Sequence, residues 1–526
     1  MRSSGAVVTS DQGAFELLLP PFKVRRKSDR FRRAQSTSTT RNQHPRPIMG
    51  QTRGLWPRAV FRVTQRAPAY GIVTSPMKIT DVSVSPSGFR YWLPSLVVCH
   101  VITSCISLIF VAEYYRRLLP LAENSVSHVL GAAVTAAPFA LLSIFFMIRP
   151  FNFGYALGFY LFTLILDYLW LLELSTFQYD HRTAAISALA SGLAFLVPAL
   201  LWNFPARRPK LEFTGGQFLV FLFAILAVAG VVLAVGASYN RQFVSPLDIY
   251  EYRDQIVLPK PLLYAIGIVC GALLPFAYAG FVQLRRYGYA ALCLLILGLF
   301  YPVTLTKLAL LAPAWLLFLT ALSIYFEARV AIILSLLLPV LAGVLLALLH
   351  KLGPLPEYPF LVYFGTVNFR MIGMPASALD FYNDFFSSHE LTRFCQIGLV
   401  KQLLSCPYEE QLSVYMQESY HLGYFNASLF ATEGIASVGP LLAPVSALAC
   451  GLVISLASRA SAGLPERFVL LSSGLQLHIF LNVPFTVALV TNGAAVLFLL
   501  WYVTPSAAFP DARSTTLQGH TDEILR

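Results

Sequence analysis

The chain has 526 residues, of which 56% are hydrophobic and only 12% are charged, and its mean hydropathy is +0.64. Soluble globular proteins carry about 25% charged residues, so this composition excludes a water-soluble enzyme. It predicts an all-α protein that crosses a membrane many times, because a helix satisfies its own backbone hydrogen bonds in lipid.

Residues 1–90 are the first predicted region. They hold sixteen Lys and Arg against four Asp and Glu, in a chain of formal net charge +12. A polar segment of this kind buries too little apolar surface to fold, so we expect a disordered basic arm with anionic lipid headgroups as its partner. No RRM, helix-turn-helix or zinc-finger pattern indicates nucleic acid. A mis-assigned start is the alternative, since Met49 and Met77 are internal candidates.

Eight apolar stretches have the length of about 20 residues that a helix needs to cross a hydrocarbon core of about 30 Å. These predicted spans are residues 91–111, 127–148, 151–174, 183–203, 217–237, 261–282, 330–349 and 434–457.

Two further apolar runs are too long for one span each. A single helix over 290–326 would be on the order of 55 Å long, so we place a turn near Tyr301-Pro302 and Lys307. The run 468–503 is also too long and carries Asn482-Val483-Pro484 near its midpoint. Turning both runs gives about twelve transmembrane helices. Nine lie in residues 91–349 and three in 433–503, followed by a cytoplasmic tail at 504–526.

The Lys and Arg of the short loops predict the orientation. With the N-terminus inside, nine basic residues fall in the predicted cytoplasmic loops and seven in the short outer loops. The basic arm adds to the inner side, and an even number of helices then leaves both termini in the cytoplasm. This topology places residues 238–260 and one large extracytoplasmic loop, residues 350–432, on the outer side.

The large loop is too long to be a simple connection. Its many Tyr and Phe are interleaved with Arg, Asn, Asp and Glu, and this mixture suits a carbohydrate site, where rings stack on sugar faces and charged groups bind hydroxyls. An interfacial aromatic belt with solvated charges is the alternative. Cys395 and Cys406 lie in this loop and would form a disulfide if it faces an oxidising compartment.

Several short patches of the outer segments resemble those of one family. They are Asn368-Phe369-Arg370, Ala378-Leu379-Asp380-Phe381-Tyr382-Asn383-Asp384-Phe385-Phe386, Asn426-Ala427 and Thr432-Glu433-Gly434-Ile435-Ala436-Ser437-Val438-Gly439-Pro440. The segments Asp248-Ile249-Tyr250-Glu251-Tyr252-Arg253, Thr306-Lys307, Asn482-Val483-Pro484 and Thr491-Asn492-Gly493 complete the set. Together they resemble the O-antigen polymerases, which are similar to exopolysaccharide polymerases. The likeness covers residues 91–505 in helix layout.

The resemblance implies a metal-independent membrane glycosyltransferase of the bacterial inner membrane. Such an enzyme joins polyprenyl-diphosphate-linked oligosaccharide repeat units of an O-antigen or exopolysaccharide at the periplasmic face. The implied partners are that lipid-linked oligosaccharide, membrane lipids and, as an open point, a chain-length regulator. No cofactor is expected, because the sequence has no HEXXH, paired DXD or Walker pattern.

Charge develops on the diphosphate leaving group, where positioned cations stabilise it. Arg253, Arg370 and Lys307 are the residues we expect to do this, and Tyr250, Tyr382 and Asn426 are expected to bind substrate. The acceptor hydroxyl needs a general base. Glu433 is preferred because it lies at the membrane-facing end of the loop; the alternatives are His421, His389 and Asp384.

Each assignment has a structural alternative. Arg253 could anchor lipid phosphate, Arg370 could pair with Asp380 or Asp384, and Lys307 could snorkel from a turn. Glu433 could cap the helix that follows it. Four ionisable residues inside the predicted spans should face the bundle interior. They are scattered along the sequence: His100, Asp167, Glu173 and His478.

Two other functions stay open. An O-antigen ligase uses the same lipid-linked donor with a different acceptor. The ligase family depends on a histidine in the large loop, and His421 could be that histidine. A secondary transporter or flippase of lipid-linked sugars would place ionisable residues near the bilayer midplane and show related halves. No repeat relates residues 91–282 to 290–503.

Overall fold

The computed structural model describes residues 92–202, 215–245, 256–397, 405–422 and 427–505, together with residues 252, 400 and 509. The predicted arm and tail therefore lie outside the described residues, apart from the first residues of the tail. Within the described part the chain is mostly helical and forms no β-strand, which confirms the predicted fold class.

Ten helices in the described part of the chain are long and apolar enough to cross a membrane. In chain order they are α1 (Trp92–Tyr115), α2 (Val126–Ile148), α3 (Phe153–Leu172), α4 (His181–Leu201), α5 (Gly215–Tyr239), α6 (Lys260–Gln283), α7 (Tyr287–Thr304), α8 (Lys307–Tyr325), α9 (Ala328–Lys351) and, after the large loop, α12 (Phe430–Ser461). The chain is thus a multi-pass helical membrane protein.

The turn predicted inside residues 290–326 is confirmed. Helix α7 ends at Thr304, Leu305 takes a left-handed conformation, and α8 begins at Lys307 with Thr306 as its N-cap. The hydroxyl oxygen of Thr306 accepts a hydrogen bond from the backbone N–H of Ala309 at 3.4 Å. A polar cap and a preceding proline at 302 thus end one span and start the next.

The last apolar run also breaks where predicted. Helix α13 (Glu466–Asn482) has 17 residues and ends at Asn482, and two short helices follow, α14 (Phe485–Val490) and α15 (Ala494–Val503). At 1.5 Å per residue α13 is about 25 Å long and α15 about 15 Å. Both are shorter than the hydrocarbon core of about 30 Å, so the predicted count of twelve spans differs from the ten long helices.

Residues 357–388 of the predicted outer loop form one bent helix, α10. It runs through Glu357–Phe364, a π-helical segment Gly365–Gly373, and Met374–Ser388. Its middle is buried: the Asn368 side chain donates to Ser107 Oγ of α1 and to the Val340 carbonyl of α9, each at 2.9 Å. This part of the predicted outer loop is therefore packed into the bundle. A shorter helix, α11 (Leu412–Tyr420), follows.

Helix α3 lies at the centre of the fold. Each residue from Phe153 to Leu172 is buried, as is typical of a helix that is apolar on every side. It packs against α1, α2, α4, α10, α12 and α13. The interior of the protein is therefore built around α3, and the loops that follow α9 and α13 close over one end of the bundle.

Candidate functional site

A cavity of about 530 Å³ lies at the end of the bundle where α6 begins and α13 ends. Five parts of the chain form it: the start of α6, Tyr382 of α10, residues 392–397 with 411–413, residues 427–437 around the π-helical start of α12, and the break between α13 and α15. Its described lining residues are Lys260, Leu263, Tyr264, Tyr382, Thr392, Phe394, Gln396, Ile397, Gln411, Leu412, Ser413, Ala427, Thr432, Glu433, Ser437, Val483, Pro484, Thr486, Val487 and Thr491.

Glu433 lies in the cavity wall, and its side chain is 5% exposed. Its Oε1 accepts from the backbone N–H and the hydroxyl of Thr486, both at 3.0 Å. Its Oε2 accepts from the backbone N–H of Phe485 at 3.0 Å and from the Thr432 hydroxyl at 2.5 Å. Four donors occupy the roughly four lone-pair positions of a carboxylate.

This geometry favours a second role for Glu433. Because the Phe485 and Thr486 donors hold its carboxylate in place, the arrangement favours an anchor, and the role of general base stays a prediction. Glu433 does cap a helix, which was the structural alternative for this residue. The capped helix is α14, which begins 52 residues later in the chain, and not α12, in which Glu433 itself lies.

The break after α13 fits closely against α6. The Gln476 amide donates to the carbonyls of Gly271 and Asn492, each at 2.8 Å. A Cβ at Gly267 would lie far inside van der Waals contact with the Thr491 carbonyl oxygen, and one at Gly271 would do the same with the Asn492 carbonyl. Glycine is therefore needed at both positions to let the backbones approach.

Tyr382, a predicted substrate-binding residue, lines this cavity and is 1% exposed. Its ring packs at 6.0 Å from that of Phe386. Burial raises the pKa of the Tyr382 phenol, and the nearby Glu433 carboxylate raises it further. The phenol therefore stays a neutral hydrogen-bond donor at the cavity wall.

Residues 391–397 and 405–413 form a cover on one side of the cavity. The first part of this cover is fixed to α12, because the backbone N–H groups of Thr392 and Arg393 donate to the carbonyls of Ala436 and Ser437, at 2.8 and 3.1 Å. A Cys395–Cys406 disulfide joins the two parts of the cover, as the sequence had suggested. The Gln396 and Gln411 side chains of this cover line the cavity.

Lys260 is the cationic residue among the described lining residues. It is exposed and is the first residue of α6, after Pro259. From the sequence, Lys260 was only one of the basic residues of a short loop and was not predicted as a site residue. Its position as a lysine at the start of an apolar span is the one feature that could have identified it.

Three other predicted site residues lie outside the described lining of the cavity. Arg370 is in the π-helical part of α10, close enough to Tyr115 to act on its hydroxyl electrostatically. Lys307 begins α8. His421 is exposed and ends α11 in a left-handed conformation. The predicted residues Tyr250, Arg253 and Asn426 lie outside the described residues.

The alternative bases are engaged in the loop itself. Asp384 accepts from the Tyr420 hydroxyl at 2.6 Å. The His389 ring stacks on that of Phe385, with centroids 3.9 Å apart, and His389 Nδ1 lies 2.8 Å from the Phe385 carbonyl oxygen.

A buried acid lies one helical turn before Asp384. Asp380 is 3% exposed and accepts a short hydrogen bond from Tyr179, in the loop between α3 and α4. Burial raises the pKa of Asp380 to about 7. The Tyr179 hydroxyl also lies 3.4 Å from that of Tyr168, which accepts from the Asn383 amide at 2.9 Å. This network joins α10 to the end of α3.

The ionisable residues of the spans are less scattered than the sequence indicated. His100 Nε2 lies 2.9 Å from Thr163 Oγ1, and Ser104 donates to Asp167 at 2.6 Å. Both pairs lie between α1 and α3. Repeats of four residues along both helices put them on the facing sides, which became visible only once the two helices were paired.

In comparisons with known proteins, the chain matches no protein-family model, no curated protein and no solved structure. Its class rests on its helices: a multi-pass membrane protein with a polar cavity at one end of the bundle.

Proposed function

We propose that this protein polymerises polyprenyl-diphosphate-linked oligosaccharide repeat units of an O-antigen or exopolysaccharide at the periplasmic face of the bacterial inner membrane. One observation carries the proposal. Tyr382, the 432–440 patch, the 482–484 patch and Thr491 are far apart in sequence, and each contributes to the same cavity. These are segments that resemble the O-antigen polymerases.

The cavity lining suits a ligand that is part sugar and part lipid. Hydroxyl and amide side chains from Thr392, Gln396, Gln411 and Ser413 offer hydrogen bonds to sugar hydroxyls. Leu263, Val483 and Val487 add apolar surface next to the spans, where a polyprenyl chain would lie in the bilayer. A volume of about 530 Å³ falls in the range of small-ligand pockets.

In the proposed reaction, the bond between the anomeric carbon and the carrier diphosphate oxygen breaks, and the diphosphate leaves with the electron pair. The acceptor hydroxyl oxygen forms the new glycosidic bond, and its proton passes to the departing diphosphate. Lys260 lies where it can stabilise the charge that develops on the diphosphate. Tyr382 donates a hydrogen bond to the sugar, and Glu433 holds the wall that carries Thr486. Arg253, Arg370, Lys307 and His421 stay predictions for contacts with the rest of the substrate.

The disulfide supports an outer location for this end of the bundle, since disulfides persist in oxidising compartments. Arginines gather at the opposite end: Arg329 pairs with Glu327 at 2.9 Å, and Arg467 donates to Ser323 at 3.1 Å. This distribution agrees with the positive-inside rule. The proposal includes twelve passes, with α13 and residues 485–503 as the last hairpin, and both termini in the cytoplasm.

The experiment is complementation of a strain in which the gene is deleted, with the surface polysaccharide separated by chain length on a gel. We expect Lys260→Ala and Tyr382→Phe to shorten or abolish the ladder at normal membrane abundance. Lys351→Ala is the matched control. Lys351 lies at the same end of the bundle and pairs with Glu113 at 2.8 Å, but it does not line the cavity.

The same gel separates the competing functions. Single repeats still attached, without polymer, support a polymerase, whereas loss of all attachment indicates a ligase. The pairing of His100 and Asp167 with partners in one helix interface is the observation that favours the transporter alternative. Repeat units trapped on the cytoplasmic side of the membrane would indicate that function.

A further inference from the structure

Asp167 is a carboxyl group buried inside the bundle. It lies on α3, is 1% exposed, and its Oδ1 accepts from the Ser104 hydroxyl at 2.6 Å. Its Oδ2 is buried and has no hydrogen-bond partner among the described residues. No Lys, Arg or His in the described part forms an ion pair with it. Unpaired buried polar atoms are rare in proteins, so Oδ2 needs a ligand.

Asp167 borders a cavity of about 10 Å³ between α3, α9 and α10. A cavity of this size holds one water-sized ligand. Its lining is Tyr160, Thr163, Leu164, Asp167, Leu336, Met371, Ile372, Pro375 and Leu481.

Neither of the two hydroxyl groups that line this cavity can donate a further hydrogen bond. Thr163 donates to the Phe159 carbonyl at 3.1 Å, so the His100 imidazole must donate in its contact with Thr163. Tyr160 and Ser335 lie 2.8 Å apart, and Ser335 donates to the Ile332 carbonyl at 2.7 Å. A hydroxyl has a single donor, so Tyr160 donates to Ser335. Both lining oxygens keep lone pairs only.

The π-helical part of α10 borders the same cavity. Met371 and Pro375 both line the cavity, where the segment Gly365–Gly373 ends. Such π segments are frequent at functional sites.

We propose that the side-chain oxygens of Asp167, Tyr160 and Thr163 form a binding site for one monovalent cation of the size of Na⁺. Oxygen ligands suit such a hard cation, and one carboxylate balances one positive charge. The site lies between α3 and the segment of α10 that carries Arg370, so the bound ion stabilises the packing of α10 in the bundle. It goes beyond the proposed function and does not depend on it.

The test is thermal unfolding of the purified full chain in detergent. The ionic strength is held constant while NaCl replaces N-methyl-D-glucamine chloride. We expect Tm to rise with Na⁺ along a single saturating curve, by a few degrees at saturation. Asp167→Asn should remove the response, because the amide supplies donors of its own. Asp180→Asn is the matched control, an exposed N-cap of α4 where Asn caps as well as Asp.

Three results would overturn the proposal. One is an equal Tm in both salts for the wild type. Another is a Na⁺ response that survives in Asp167→Asn, which would place the ion elsewhere. The last is a Tm that follows pH with no effect of Na⁺, which would assign a proton to Asp167. If Asp167→Asn fails to fold, Tyr160→Phe keeps the carboxylate and removes one ligand, and its half-saturating Na⁺ concentration should rise several-fold.

Discussion

Thr486 donates both its backbone N–H and its hydroxyl to the same oxygen of Glu433, each at 3.0 Å. These bonds join the first turn of α12 to the first turn of α14, across the wall of the cavity. The position of Thr486, and with it the shape of the cavity, therefore depends on a carboxylate 53 residues away in sequence.

We expect Glu433→Ala to destabilise the protein by about 3 kcal/mol, because it leaves the buried N–H group of Phe485 and the half-buried N–H group of Thr486 without their acceptor. Thr486→Ala should cost about 1 kcal/mol, since only the hydroxyl bond is lost. Thermal unfolding of both variants measures this order. A Glu433→Gln variant that keeps wild-type stability but loses all activity would support Glu433 as the base.

A second prediction concerns Gly267. Gly267→Ala should destabilise the protein by about 1–3 kcal/mol, because its methyl group overlaps the Thr491 carbonyl and overpacking carries that penalty. Gly230→Ala on α5 is the control, since a Cβ there meets no atom within 4 Å. Equal Tm values for the two variants would show that α6 and the 491–493 segment are not in close contact.

The raised pKa of Asp380 predicts a pH dependence of stability. The folded pKa is about 7 and the unfolded value about 4, so between these values the folded state binds more protons than the unfolded state. Stability is then full below pH 4, falls by at most about 1.4 kcal/mol per pH unit up to pH 7, and is level above it.

Asp380→Asn should flatten this profile, because the amide stays neutral and still accepts from Tyr179. Unfolding followed between pH 4 and 8 for both proteins measures the difference. Parallel curves for the wild type and the variant would exclude Asp380 as the titrating group.

The disulfide gives a local prediction. Cys395→Ser with Cys406→Ser should loosen the cover formed by residues 391–397 and 405–413, since cross-linking a loop of this length contributes about 3 kcal/mol. We expect faster amide hydrogen exchange in Gln411–Met416 and unchanged exchange in α3, which lies in the core. Unchanged exchange in both regions would mean that the contacts of Thr392 and Arg393 hold the cover alone.

The transmembrane helices could be predicted because a helix needs about 20 apolar residues to cross the hydrocarbon core, so the length of an apolar run shows whether it can span the membrane. The turn at Leu305 followed from the excess length of residues 290–326 and from Pro302. The same arithmetic placed the break at Asn482, although the helices beside it are shorter than a full span.

The site could be predicted only in part. Tyr382 and Glu433 were identified from short patches, and both line the cavity. Lys260 was missed as a site residue, because one lysine at the end of a span has no distinctive pattern. The anchoring contacts of Glu433 were not foreseen for a different reason: Phe485 and Thr486 donate to it, and no local pattern connects them to it.

The amino-acid sequence by itself determined that this chain is a bundle of apolar helices, where the helices break, and which residues are too polar to face lipid. Those properties depend on near neighbours along the chain and on the surrounding solvent. Only the tertiary structure decided that residues 357–388 enter the bundle, that Glu433 caps α14, and that Asp167 meets Tyr160 and Met371 at one cavity. Such contacts arise from the packing of helices distant in sequence, where a difference of a few ångströms separates a bonded group from an unpaired one.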